Sequence, residues 1–123
     1  MIINKTPHAV HIKYGKYEFD DYKIIKPDGD PIRLEEKRYE CGEIEGIPIT
    51  YPVYGAANLP EEQPGVYYIV SAMVLNAYPE RLDLLAPGPA IRNESGQIIA
   101  CEGLSGTTAM LAKYELSGMG KKL

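Results

Sequence analysis

Twelve glycines and ten prolines punctuate this 123-residue chain from end to end, which leaves no room for a long helix. Proline removes a backbone donor and glycine weakens the interior of any regular element, so the segments between them have to be short. Most of those segments read as strands. Residues 2–4 and 9–14 read as one strand interrupted near Pro7, whose missing N–H places it at an edge or a bulge. Tyr14-Gly15-Lys16-Tyr17 has the composition of a hairpin turn, and Lys26-Pro27-Asp28-Gly29-Asp30-Pro31 that of a loop. Residues 17–25 alternate patchily. Residues 32–40 alternate apolar and charged side chains over part of their length, as an exposed strand does. Residues 44–53 carry Pro48 and Pro52, which suits an edge strand.

Residues 66–71, Val-Tyr-Tyr-Ile-Val-Ser, are β-branched or aromatic almost throughout and predict the most deeply buried strand of the chain. They run into 72–78, which suits one or two helical turns capped by Ser71 and stopped by Pro79. A short strand over 81–86 leads to the turn Pro87-Gly88-Pro89. A hairpin then turns at Asn93-Glu94-Ser95-Gly96 and returns over 97–101. A second short helix is predicted over Thr108–Leu116, with a fraying end beyond it. Together these signals predict a mainly β (β-rich α+β) domain over residues 1–104, with 105–123 as a C-terminal tail. Its form is a small bent sheet or a partly closed β-barrel with one or two short helices, because closure removes exposed edges.

The net charge of −4 argues against duplex nucleic acid or an anionic membrane as partner. No apolar run approaches the 18 residues of a membrane span. The two cysteines, Cys41 and Cys101, have no metal-ligand spacing and read as reduced thiols of a cytoplasmic protein, Cys101 as a small core residue. Asn4-Lys5-Thr6 matches a glycosylation sequon but follows no secretory signal, so it is set aside. Neither phosphate-loop nor dinucleotide fingerprints occur, nor does a nucleophile elbow or a metal-binding motif, so no cofactor is expected. The aromatic content is skewed to ten tyrosines, one phenylalanine and no tryptophan. Tyrosine suits half-exposed sheet faces, and it also suits a pocket that stacks and hydrogen-bonds a planar ligand.

Few residues are candidates for binding. Strand alternation sends His8 and His11 to opposite faces, His8 to the apolar side and His11 to solvent, so they are not a chelating pair. Arg81 and Asp83 share a face if their segment is extended. Their pairing would orient a guanidinium suited to phosphate or carboxylate, although a salt bridge supporting the turn is the simpler reading. Arg92 lies beyond the same turn. Tyr54 and Asn58 form a second rim, able to stack on a base and read its edge. Gly103-Leu104-Ser105-Gly106-Thr107-Thr108 offers backbone N–H groups to an anion, a weak signal because the same residues cap helices without a ligand.

Several stretches, in this order, resemble a family of small bacteriophage and prophage proteins. They are Asn4-x-Thr6-Pro7-His8, Gly46-Ile47-Pro48, Tyr54-Gly55, Leu59-Pro60, Pro64-Gly65 and Tyr68-Ile69-Val70-Ser71. The series continues with Pro79-x-Arg81-x-Asp83-Leu84, Pro87-Gly88 and Arg92-x-x-x-Gly96-x-Ile98-Ile99-x-Cys101. The resemblance spans residues 2–104 and omits 17–40 and the tail. It carries no catalytic residues to transfer. It implies an accessory protein that counters host defence by sequestering a small nucleotide-like ligand, such as a cyclic nucleotide or an ADP-ribose derivative. It also implies a homo-oligomer. On that expectation Arg81 and Arg92 meet phosphates, Tyr54 and Asn58 the base or ribose, and His8 the pocket mouth. Two alternatives stay open: an enzyme using His8 with Asp83 on such a ligand, and a virion or protein-interaction module without a pocket.

Overall fold

In a computed structural model of the chain, residues 1–15, 21–56 and 58–116 are described. Their strands are β1 (Ile2–Asn4), β2 (Val10–Tyr14), β3 (Asp21–Ile25), β4 (Leu34–Ile44), β5 (Ile47–Ala56), β6 (Tyr67–Ile69), β7 (Leu84–Pro87), β8 (Ala90–Arg92), β9 (Ile98–Glu102) and β10 (Leu104–Ser105). Two helices, α1 (Ala72–Ala77) and α2 (Thr108–Leu116), complete them. The architecture is strand-rich, as the punctuation of the sequence predicts, but the strands form open sheets and close no barrel. One sheet has the order β1-β6-β7-β10, a second β3-β2-β9-β8, and β4 and β5 form a separate ribbon.

The segment that reads as the most buried strand lies at the centre. β6 pairs in parallel with both β1 and β7. Its residues serve two cores by alternation. Tyr68 and Val70 join Ile32, Val74, Leu75, Leu84 and Ala86 on one side. Ile69 joins Val10, Ile12 and Cys101 on the other, with Leu85 of β7 beside it. The first sheet is therefore covered by α1 and the loop carrying Ile32 on one face and by the second sheet on the other. A strand buried on both faces has no polar side to show, which is why 66–71 lacks alternation. Helix α1 follows the predicted punctuation: Ser71 Oγ accepts from the Val74 N–H at 3.2 Å, and the helix ends before Pro79.

Residues 2–14 depart from the expectation of one interrupted strand. β1 belongs to the first sheet and β2 to the second, and the bend between them carries the chain across. The anchor of that crossing is Asn4, 1% exposed. Its Oδ1 accepts from the Thr6 N–H (2.9 Å) and the Thr6 hydroxyl (2.6 Å). Its Nδ2 donates to the carbonyls of His8 (2.8 Å) and Ile25 (2.9 Å). Every hydrogen-bonding position of the amide is used. Asn4 is thus a buried structural residue, and the sequon pattern is an Asx turn. The chain crosses back at Gly88, where an added Cβ would lie 2.1 Å from the carbonyl oxygen of Glu102.

The hairpin expected at Tyr14–Tyr17 reaches beyond the described residues, as does the fraying end after Leu116. The two separate strands expected over 32–53 are instead one long hairpin. Its turn, Glu45-Gly46, has φ of 54° and 77°, the pattern of a type I′ turn.

Replacing Asn4 by alanine removes its four hydrogen bonds from a buried position, leaving the His8 carbonyl only the Thr6 hydroxyl at 3.0 Å and the Thr6 N–H without its acceptor. Urea unfolding should show a loss of about 2–4 kcal/mol, against about 1 kcal/mol for Thr6→Val, which removes one hydroxyl.

Candidate functional site

The expected site residues fall into separate regions of the fold. Arg81 and Asp83 do pair, in the stretch leading into β7. Arg81 Nε and Nη2 donate to the two carboxylate oxygens of Asp83, both at 2.7 Å. Nη2 also donates to the Pro60 carbonyl at 2.7 Å, and Glu62 lies 3.2 Å from Nε. The side chains are only 14% and 6% exposed. The Asp83 hydrogen bond holds the Arg81 guanidinium still more firmly protonated, against the opposing effect of burial. Two carboxylates and a carbonyl around one guanidinium make a clasp that fixes the 58–65 loop to the first sheet. The Thr107 hydroxyl adds to it by donating to the Arg81 carbonyl at 2.5 Å while capping α2 through Met110 N–H. The Gly103–Thr108 stretch therefore acts in this structure as strand β10 and a helix cap.

Asn58 is a second clasp. Its Nδ2 donates to the Pro31 carbonyl at 3.0 Å and its Oδ1 faces the Arg33 N–H at 3.5 Å. It borders a hollow with Lys5, Asp28 and Asp30. Tyr54 stands on β5 directly opposite Glu36 and borders a different hollow with Lys37 and Tyr39. Neither hollow contains Arg81, Arg92 or His8.

His8 lies in a third region, and Arg92 does not border its cleft. His8 is exposed in the bend after Pro7, not on a strand, so the alternation expected of it does not apply. It lines an open cleft of about 420 Å³ beside the second sheet. The cleft is bordered by Thr6, His8, Ala9, Val10 and His11 on one side and by Pro87 and residues 98–101 of β9 on the other, with Ser71 and Ala72 between. Arg92 pairs with Ile98 across the β8–β9 ladder, next to a register shift, and is not itself among the residues that border the cleft. The Arg92 guanidinium donates to the Gly96 carbonyl at 2.7 Å and forms no ion pair among the described residues.

His11 was expected on the solvent side and instead lines the same cleft, half-buried. Its Nδ1 lies 2.7 Å from the Tyr22 hydroxyl, a bond that anchors the ring to β3. The bend at Pro7 places His8 off the β2 strand, which lets both imidazoles border one cavity. Sequence alternation could not signal this, because it holds only within a continuous strand.

Among the described residues no carboxylate borders the cleft, and Asp83 is engaged elsewhere, so His8 and Asp83 are not brought together. Among the described residues no group of three or more histidine, cysteine, aspartate or glutamate side chains is placed to hold a metal. A larger hollow of about 530 Å³ lies beside α2, walled mainly by Ile2, Tyr67, Leu82, Leu85 and Met110, with Lys113 as its charged side chain. None of the described helices is long and apolar enough to cross a membrane. No protein-family model matches the chain, and neither a curated protein nor a solved structure is significantly similar to it.

Because Arg81 is held on several sides, removing Asp83 should cost about 3 kcal/mol of stability by leaving a desolvated cation unpaired. Glu62→Gln, which touches the exposed flank, should cost less than about 1 kcal/mol. A double-mutant cycle of Arg81→Met with Asp83→Leu, read by denaturant unfolding, should return a coupling of roughly 1–3 kcal/mol.

Proposed function

We propose that this protein is a non-catalytic phage or prophage accessory protein that binds and holds a small nucleotide-like ligand, countering host defence by sequestering it. The observation that carries this reading is the open, largely apolar cleft that His8 and His11 border together. An imidazole offers a flat face to a base, and Arg92, which forms no ion pair among the described residues and pairs with Ile98 of the cleft wall, is the proposed donor to a phosphate. The walls made by Pro87, Ile98 and Ile99 are apolar, as ligand sites usually are, with a few convergent polar groups. Tyr22 occupies Nδ1 of His11, so Nε2 is the ring nitrogen left for a ligand. A cleft of about 420 Å³ has room for a mononucleotide-sized body.

The same cleft favours binding over turnover. The His8–Asp83 pair expected of an enzyme is not formed, and no carboxylate among the described residues borders the cavity to serve beside His8. Arg81 takes a supporting part in this reading rather than a phosphate-binding one, because its donors already meet Asp83 and Pro60. Tyr54 and Asn58 would meet the same ligand only through a second copy of the chain.

The test is retention. The purified protein is incubated with a panel of cyclic nucleotides and ADP-ribose derivatives, desalted and heat-denatured, and the supernatant is analysed by mass spectrometry. The expected outcome is one ligand released intact. Arg92→Ala and His8→Ala should each weaken its binding about tenfold or more, equivalent to about 1.4 kcal/mol, with no change in the unfolding midpoint. Release of an altered ligand, or retention of none, would overturn the proposal.

A further inference from the structure

The β4–β5 hairpin is an arm that the other described residues leave largely uncovered. Its register pairs Lys37 with Val53, Tyr39 with Tyr51 and Ile44 with Ile47, and directly paired residues share a face. Along β5, residues 47, 49, 51 and 53 alternate onto that same face. One side of the ribbon therefore carries Tyr39, Ile44, Ile47, Ile49, Tyr51 and Val53. The other side carries charge: Arg38 is ion-paired with Glu36 and donates to the Thr50 hydroxyl at 2.9 Å. Tyr39, Ile44, Ile47 and Tyr51 are 57%, 65%, 61% and 63% exposed. Only the base of the hairpin, Leu34 and Ala56, packs on the core. Two strands alone in water are marginal, so a bare apolar face on such a ribbon calls for a cover.

We infer that the cover is the same face of a second copy of this chain, with the two arms packed face to face and antiparallel about a twofold axis. Three observations select this occupant. First, the edges are blunted. Pro48 and Pro52 leave gaps on the outer edge of β5, and β4 breaks register between Glu40 and Glu43, so strand addition is disfavoured and face packing remains. Second, charges flank the apolar strip at both ends. Glu35 and Lys37 share its face at the base and Glu45 lies in the turn at the tip, so an antiparallel copy brings each Glu45 to the partner's Glu35–Lys37 end, where the lysine can pair with it. Glu45 holds φ of 54°, where glycine or asparagine is favoured, which keeps a carboxylate at a backbone position that resists it. Third, the exposed parts of these side chains amount to roughly 600 Å² per chain, near the ~800 Å² that one partner gives to a stable complex, with the flanking charges adding to it.

Sedimentation velocity on the full chain tests this. The expected result is a dimer in the micromolar range. Tyr51→Glu should give a monomer with an unchanged circular dichroism spectrum, and Ile47→Asp, farther from the core, should do the same. Lys37→Glu should weaken the dimer about tenfold, and Lys37→Glu combined with Glu45→Lys should restore it. Cys41 is exposed near the middle of the strip, whereas Cys101 is buried. A short bismaleimide should therefore link two wild-type chains and fail to link Tyr51→Glu. A wild-type monomer would overturn the inference and leave the face to a different protein. A dimer that survives both apolar-face substitutions, or a charge exchange that fails to restore association, would overturn the arm-to-arm geometry.

Discussion

The arrangement of the two main sheets depends on a single amide. Asn4 is the last residue of β1, and its side chain reaches the carbonyls of His8 and Ile25 while accepting two hydrogen bonds from Thr6. One buried side chain thereby joins the end of a strand in the first sheet, the bend that leaves it and the end of β3 in the second. Its own carbonyl accepts from the Asp28 N–H at 2.9 Å, and the next residue exchanges backbone bonds with Ile69 and Ile32. No apolar residue could do this. Burial of an amide is tolerable only when all its groups are partnered, and the partners here are the backbone groups that a crossing between sheets would otherwise strand.

That crossing also creates the cleft. If residues 2–14 ran as one strand, His8 and His11 would point apart, and no cavity would have both as walls. Bending the chain at Thr6–His8 instead sets His8 at the rim and leaves His11 inside β2 with its ring tied to Tyr22. The β8–β9 hairpin contributes the facing wall, and its bulge between Ile91 and Arg92 brings Arg92 opposite Ile98. The functional reading therefore rests on the same feature as the fold: a short, fully bonded turn that hands the chain from one sheet to the other.

What the sequence made legible was local. The buried strand around Ile69, helix α1 between Ser71 and Pro79, helix α2 at Thr108–Leu116 and the core position of Cys101 all follow from composition and caps within a few residues. What it hid was pairing. Nothing in Ile2–Asn4 and the strand after Pro7 says that they join different sheets, because that choice is made by β6 and β9, many residues away. The hairpin turn was hidden for another reason. Glu45-Gly46 uses a glutamate where asparagine or aspartate would announce a type I′ turn, so the alternation on either side reads as two unrelated strands. Of the site residues, Arg81 with Asp83 was legible as a pair. That it clasps a loop follows from the position of Pro60, which spacing cannot supply.

Arm and cleft draw on opposite uses of proline. Pro7 lies in the bend, where a fixed φ and a missing donor suit a chain leaving one ladder for another. Pro48 and Pro52 lie inside a ladder, where their missing donors would only weaken pairing if they faced β4, and instead remove bonding capacity from the open side. The arm is then able to keep an apolar face without offering an edge for indiscriminate strand addition. A chain that needed the hairpin only as a spacer would have no reason to make one face apolar. A chain that aggregated through it would have left the edges intact. Closed edges beside an apolar face are what the proposed arm-to-arm packing needs: they leave the face, and not the edge, as the surface on which a second copy would dock.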